Sequence, residues 1–134
     1  MNKNEKISYW LKSAEHDLLT ADSLFAAGRY DWCLFIGCLV IEKVLKAHFV
    51  SSNENIYPPK TYDLVYLAKK LDLNFSSDKM MLLETISSFN IEARYPDEKF
   101  SFYKLCTKEF TEYHYNKIKE IYEWLLSQTK LEQS

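Results

Sequence analysis

Apolar residues recur at three- and four-residue steps along most of this chain, which is a helical period. Over residues 5–27, Ile7, Trp10, Leu11, Ala14, Leu18, Ala21, Leu24 and Phe25 form one stripe, and Lys12, Glu15, His16 and Ser23 fall mainly on the other face. Gly28 stands just past the last periodic residue, where a glycine ends a helix. The next stretch, residues 29–50, reads RYDWCLFIGCLVIEKVLKAHFV and is the one around which the chain is organised. Residues 32–41 carry no charge, then Glu42, Lys43 and Lys46 arrive together. On a helical wheel, Ile36, Gly37, Val40, Ile41, Val44 and His48 share one broad side. Asp31, Glu42 and Lys46 lie opposite, but Phe35, Cys38, Leu39 and Phe49 share that opposite side with them. A helix apolar nearly all round is one that neighbours cover. The uncharged run is too short for a bilayer, which takes about 20 residues. It therefore predicts a central helix whose outer face is covered either by a later helix or by a second subunit. Gly37 lowers helix propensity by about 1 kcal/mol against Ala, and a close backbone crossing is one reason to keep it.

Punctuation divides the remainder. Two prolines and several polar residues make 51–60 a loop. Thr61 is placed to cap a short third helix over 62–71, and Ser77, after a loop over 72–77, to cap a fourth over 78–93. Met81, Leu82, Ile86, Phe89 and Ala93 are its expected inward residues. That helix stops near Arg94, because Tyr95 precedes Pro96 and is pushed out of the helical region. RYPDEKFSFYKLC, residues 94–106, reads as a loop, and a fifth helix runs over 107–131 with Phe110, His114, Ile118, Ile121, Trp124 and Leu125 as its stripe. The expected fold is all-α: an up-and-down bundle of four main helices plus one short helix, in a single domain over residues 1–134. The very short link between the first two helices makes them an antiparallel hairpin.

Composition narrows the function classes. The chain has 134 residues, 47% of them hydrophobic and 27% charged, with only two Gly and three Pro. This suits long helices and a real core rather than disorder. Ten Tyr, eight Phe and three Trp supply core and interface material. A net charge of −2 argues against a general clamp on a phosphate backbone, though a local basic patch is compatible with it. Cys33, Cys38 and Cys106 form no metal-ligand pattern, and an odd count with no apolar export core in MNKNEKISYWLK fits a reducing cytoplasm. Neither a metal nor a cofactor is expected. His48 and His114 sit on apolar stripes and read as core or boundary residues, and His16 lies on a polar face. Two glycines cannot make a phosphate loop, a dinucleotide fingerprint or a nucleophile elbow.

The polar cluster carries more information. Glu42 and Lys46 stand in the favourable i, i+4 order. The chain has two arginines, Arg29 and Arg94, and the planar fork of Arg94 beside a proline-fixed turn suits a carboxylate. Two readings follow. In one, Arg94 reaches Glu42 or Asp97 and braces the loop. In the other, Arg94, Lys43 and Lys46 form a polar pocket for a phosphate or nucleotide.

AEHDLLTADSLFAAGRYDWCLFIGCLVIEKVLKAHF, then PPKTYDLVYLAKKL, then EARYPD, in this order and separation, resemble the HEPN family. This is a helical-bundle family found in prokaryotic nucleotidyltransferase systems. The matching stretches cover most of residues 8–97, with the last helix in the expected place. The resemblance implies a bundle of the kind above, usually dimeric, paired with a separately encoded nucleotidyltransferase. It also implies RNase activity where an Arg is followed a few residues later by His, with two copies meeting at the dimer interface. Here Arg29 is followed by no His until His48, and Arg94 by none until His114. The THDL-like sequence often found in the short helix is KTYDL here, with Tyr62 in place of His. The expected role is therefore a non-catalytic or accessory module, a homodimer that pairs with a nucleotidyltransferase or binds a nucleotide or nucleic-acid ligand. The alternatives are a metal-independent, toxin-like RNase with a non-standard residue set, such as Arg94 with His114 or a lysine, and a structural or antitoxin-like interaction protein. The polar cluster Glu42, Lys43, Lys46, Arg94 and Asp97 is the candidate site, ligand-binding or structural. No membrane association is expected.

Overall fold

The computed structural model describes residues 1–98 and 100–128. Among them are four long helices, α1 (Lys3–Ala26), α2 (Tyr30–Ser52), α4 (Ser77–Arg94) and α6 (Lys108–Leu126), and two short ones, α3 (Leu64–Lys69) and α5 (Ser101–Leu105). No strand occurs in the described residues. No helix among them is long and apolar enough to cross a membrane.

α1 opens on a full capping box. The Asn2 side chain accepts from the Glu5 amide, and the Glu5 carboxylate accepts from the Asn2 amide. It closes at Gly28, whose φ of 75° is the left-handed conformation a glycine adopts without strain. The Arg29 amide then donates to Leu24 O at 2.8 Å and the Gly28 amide to Phe25 O at 3.1 Å, which occupies carbonyls the helix end leaves open. The chain reverses at once into α2, and α1 and α2 form the most extensive helix pair.

α2 is the central element. α1, α3, α4, α5 and α6 all pack on it. Leu34, Val40, Ile41, Val44, Leu45 and Ala47 are fully buried, as is Cys38 on the side that also carries charge. On the outer face the later helices of the same chain cover Cys38, while Phe35, Leu39 and Phe49 remain half-buried. At Gly37 no backbone crosses. A Cβ there would lie 2.9 Å from Cδ1 of Ile118 on α6, so a side chain occupies the space.

Several expected details move. The cap of α3 is Asp63, whose side chain accepts from the Tyr66 amide; Thr61 instead accepts from the Asp63 amide just upstream. The cap of α4 is Ser76, one residue before the expected Ser77. Met81 is 66% exposed, and the buried face of α4 runs through Leu83, Ile86, Phe89, Asn90 and Ala93. Leu83 is two positions from Met81, about 200° round the wheel, so one cannot be inward with the other. The expected loop over 94–106 contains α5. Asp97 starts it, with Oδ1 accepting from the Ser101 amide at 2.8 Å. α6 starts where expected, with Thr107 as its cap, but it ends at Leu126 with Ser127 as its C-cap, short of the expected end; residue 131 itself lies outside the described residues.

Candidate functional site

An open groove of about 330 Å³ runs between α2, α4 and the segment leading into α3. α2 contributes Phe35, Leu39, Glu42 and Lys46, α4 contributes Asn90 and Arg94, and the segment contributes Lys60, Thr61 and Tyr62. Its volume is at the small end of the range for ligand sites, about 300–1000 Å³.

Arg94 is the last residue of α4, reaching back along its own helix. Its Nε donates to Asn90 O at 3.0 Å and an Nη donates to Asn90 Oδ1. These bonds hold the guanidinium among three aromatic rings. Its carbon lies 5.6 Å from the centre of Phe35, 5.7 Å from Tyr62 and 5.5 Å from Tyr95. The expected ion pair to Glu42 or Asp97 is not formed. The reason is reach: Asn90, one turn earlier on the same face, satisfies the fork locally, while Asp97 is engaged in starting α5 and Glu42 is taken by Lys46. Asn90 is itself buried, 3% exposed, where α4 meets the groove.

Lys46 donates to Glu42 Oε2 at 2.9 Å, and both side chains are largely buried, at 9% and 14% exposure. The pair is therefore not the loosely solvated kind worth only a few tenths of a kcal/mol. The Lys46 ammonium also lies 5.5 Å from the centre of the Trp10 ring on α1. Burial pushes the Cys38 thiol up to about 12, with the Glu42 carboxylate adding to the shift. A thiol held protonated is not a nucleophile.

Of the five residues expected from sequence, the structure brings Glu42, Lys46 and Arg94 together and leaves two apart. Lys43 points to α1, where its ammonium donates to Asp17 Oδ2 at 2.6 Å and Ser13 Oγ at 2.7 Å. One residue along a helix turns the side chain by about 100°, and that is enough to move Lys43 to a different seam. Asp97 sits at the start of α5. The groove also contains residues that the sequence did not single out. Asn90 had a legible signal, since it falls on the inward face of α4, one turn before Arg94. Lys60 had none, because nothing periodic places a loop lysine.

His48 is fully buried, with Nε2 2.8 Å from Leu125 O. His16 is exposed on α1. His114 lines a different cavity, between α4 and α6. Arg94 and His114 therefore open onto separate cavities. Among the described residues no three His, Cys, Asp or Glu side chains are grouped as metal ligands.

The family model for the HEPN domain matches residues 7–129. The chain belongs to the HEPN family. No curated protein and no solved structure matches it. In this HEPN chain the groove carries three cations, Lys46, Lys60 and Arg94, against the single carboxylate of Glu42. An arginine set among ring faces beside an uncompensated lysine can take a phosphate and a planar base together.

Proposed function

We propose that this HEPN chain is a non-catalytic binding module that takes a nucleotide, free or at the end of a nucleic-acid strand, in the groove between α2, α4 and the segment before α3. The observation that carries this reading is the guanidinium of Arg94, fixed by Asn90 among Phe35, Tyr62 and Tyr95 and in no ion pair among the described residues. The exposed rings of Tyr62 and Tyr95 offer faces for a base. Lys60 and Arg94 supply the charge for phosphate. Base stacking on such rings contributes about 1–3 kcal/mol per base.

Isothermal titration with AMP, ATP and a short oligo(A) RNA tests it. Saturable binding is expected, weakening as salt is raised. Arg94→Ala is expected to lower affinity about tenfold or more, and Tyr62→Ala by a comparable factor. Circular dichroism should show both variants folded, since both side chains lie at the surface. Absence of binding at millimolar nucleotide, or binding indifferent to Arg94, defeats the reading. Incubated with RNA in metal-free buffer, the protein is expected to give no cleavage product. A product would favour an RNase with a non-standard residue set.

The wider arrangement, a homodimer paired with a separately encoded nucleotidyltransferase, draws its support from the family resemblance. Affinity capture of the native protein from its own cell lysate is expected to recover a nucleotidyltransferase. Recovery of RNA alone would point to a free-standing RNA-binding role.

A further inference from the structure

α4 and α6 each pack on α2 more extensively than on one another. They diverge away from it and leave a cleft of about 670 Å³, about twice the size of the Arg94 groove. The cleft is within the range of small-molecule sites, about 300–1000 Å³. Its apolar wall is Leu82 of α4 and Ile121 and Trp124 of α6. Trp124 is braced edge-on by Phe75, with ring centres 5.2 Å apart.

The polar groups in the cleft are held in specific ways. The Lys79 ammonium stands over the Trp124 ring at 4.7 Å and is in no ion pair among the described residues. His114 is clamped by Phe110, ring centres 4.2 Å apart, and by Phe89 edge-on at 5.5 Å. Its Nδ1 lies 2.9 Å from Phe110 O. A carbonyl only accepts, so Nδ1 carries the proton and Nε2 is the atom left for another partner. The two acids at the mouth have other engagements. Asp78 sits in the first turn of α4, where the helix dipole favours a negative charge. Glu120 turns to Lys117 at 3.6 Å on the exposed rim.

We infer that the α4–α6 cleft is a second ligand site, separate from the Arg94 groove, for a small aromatic acid. The ring system lies against Leu82, Ile121 and Trp124, and the acid group takes the Lys79 ammonium at the end of that wall. His114, two turns before Ile121 on α6, leaves Nε2 as an acceptor for a donor group on the ligand. A cation already poised over an aromatic face is what an aromatic anion needs, because one group meets the charge while the other meets the ring.

Isothermal titration with 2-naphthoate and with its neutral counterpart 2-naphthylmethanol tests this on the whole chain. 2-Naphthoate is expected to bind at one site, about tenfold more tightly than the alcohol. Lys79→Ala is expected to bring the two within about twofold of each other. Thr85→Trp fills the cleft from an exposed position of α4 and is expected to abolish both. Arg94→Ala is expected to change neither, which separates this site from the nucleotide groove. Equal affinity for acid and alcohol overturns the inference, as does the lack of any saturable signal. So does naphthoate binding that survives Lys79→Ala and Thr85→Trp but is lost with Arg94→Ala, since the acid would then be in the other groove. Should Thr85→Trp fail to fold by circular dichroism, the Lys79→Ala comparison decides alone.

Discussion

Gly37 sits in the middle of α2 with Ile118 of α6 against it. An alanine there gains about 1 kcal/mol in helix propensity. Its Cβ would also lie 2.9 Å from Cδ1 of the fully buried Ile118, inside contact distance, so that side chain must shift within the core. Overpacking of this kind costs about 1–3 kcal/mol, so Gly37→Ala is expected to lose about 1 kcal/mol net. Ile118→Val removes the offending carbon. The double variant Gly37→Ala, Ile118→Val is expected to be more stable than Gly37→Ala alone, as read from urea denaturation midpoints. If the single variant is instead stabilised, the contact with Ile118 is not what keeps a glycine there. The difference between Lys43 and Lys46 belongs to the same scale. Both follow Glu42 in one charged cluster, yet Lys46 faces the groove and Lys43 faces Asp17 and Ser13. Charge type could be read from the letters, whereas direction depended on which neighbour each helix face met.

At the scale of elements, caps and turns set where each helix begins. Ser76 and Ser77 are adjacent and chemically identical, so the sequence alone could not choose between them. The extended backbone at Ser76, with ψ of 164°, aims its hydroxyl at the Lys79 amide, whereas Ser77 is already inside the helix. Ser76→Ala is expected to cost about 1 kcal/mol in thermal or urea melts and Ser77→Ala almost nothing. The reverse ranking would move the cap to Ser77. The short helix α5 escaped the hydrophobic pattern for a similar reason. Its five residues hold a single buried side chain, Phe102, too few for a period to show. It is held by Asp97 at its start and by Phe102 packing on Phe89, with ring centres 5.6 Å apart. Helices α1, α2, α4 and α6 were legible because each is long enough for its apolar stripe to repeat several times.

The whole molecule decides how the three cysteines behave. Burial pushes the thiols of Cys33, Cys38 and Cys106 up from 9.0 to about 12. Neighbouring carboxylates, Asp22, Glu42 and Asp31 respectively, add to the shift. The folded chain therefore keeps these protons at pH values where the unfolded chain releases them. This contribution to stability is fully present below about pH 9 and is lost as pH climbs towards about 12. Urea melts are expected to be level with respect to these groups from pH 7 to 8.5 and to weaken steadily above pH 9. In native buffer at pH 8 a thiol reagent such as dithionitrobenzoate is expected to label none of them, and in urea all three. Rapid labelling of any one without denaturant would show that site to be open.

By itself the sequence determined the all-α class, the four long helices, the antiparallel α1–α2 hairpin and the HEPN resemblance. Those follow from period, punctuation and residue order, which are local properties of the chain. It also singled out Glu42, Lys46 and Arg94. Only the tertiary structure decided that Arg94 bonds Asn90 instead of a carboxylate, that Lys60 and Tyr62 join its groove, and that Lys43 and Asp97 do not. The physical reason is that a hydrogen bond or ring contact is made by whichever group lies within a few ångströms. Separation in space between α2, α4 and the loop before α3 is fixed by how the helices pack, not by their spacing along the chain.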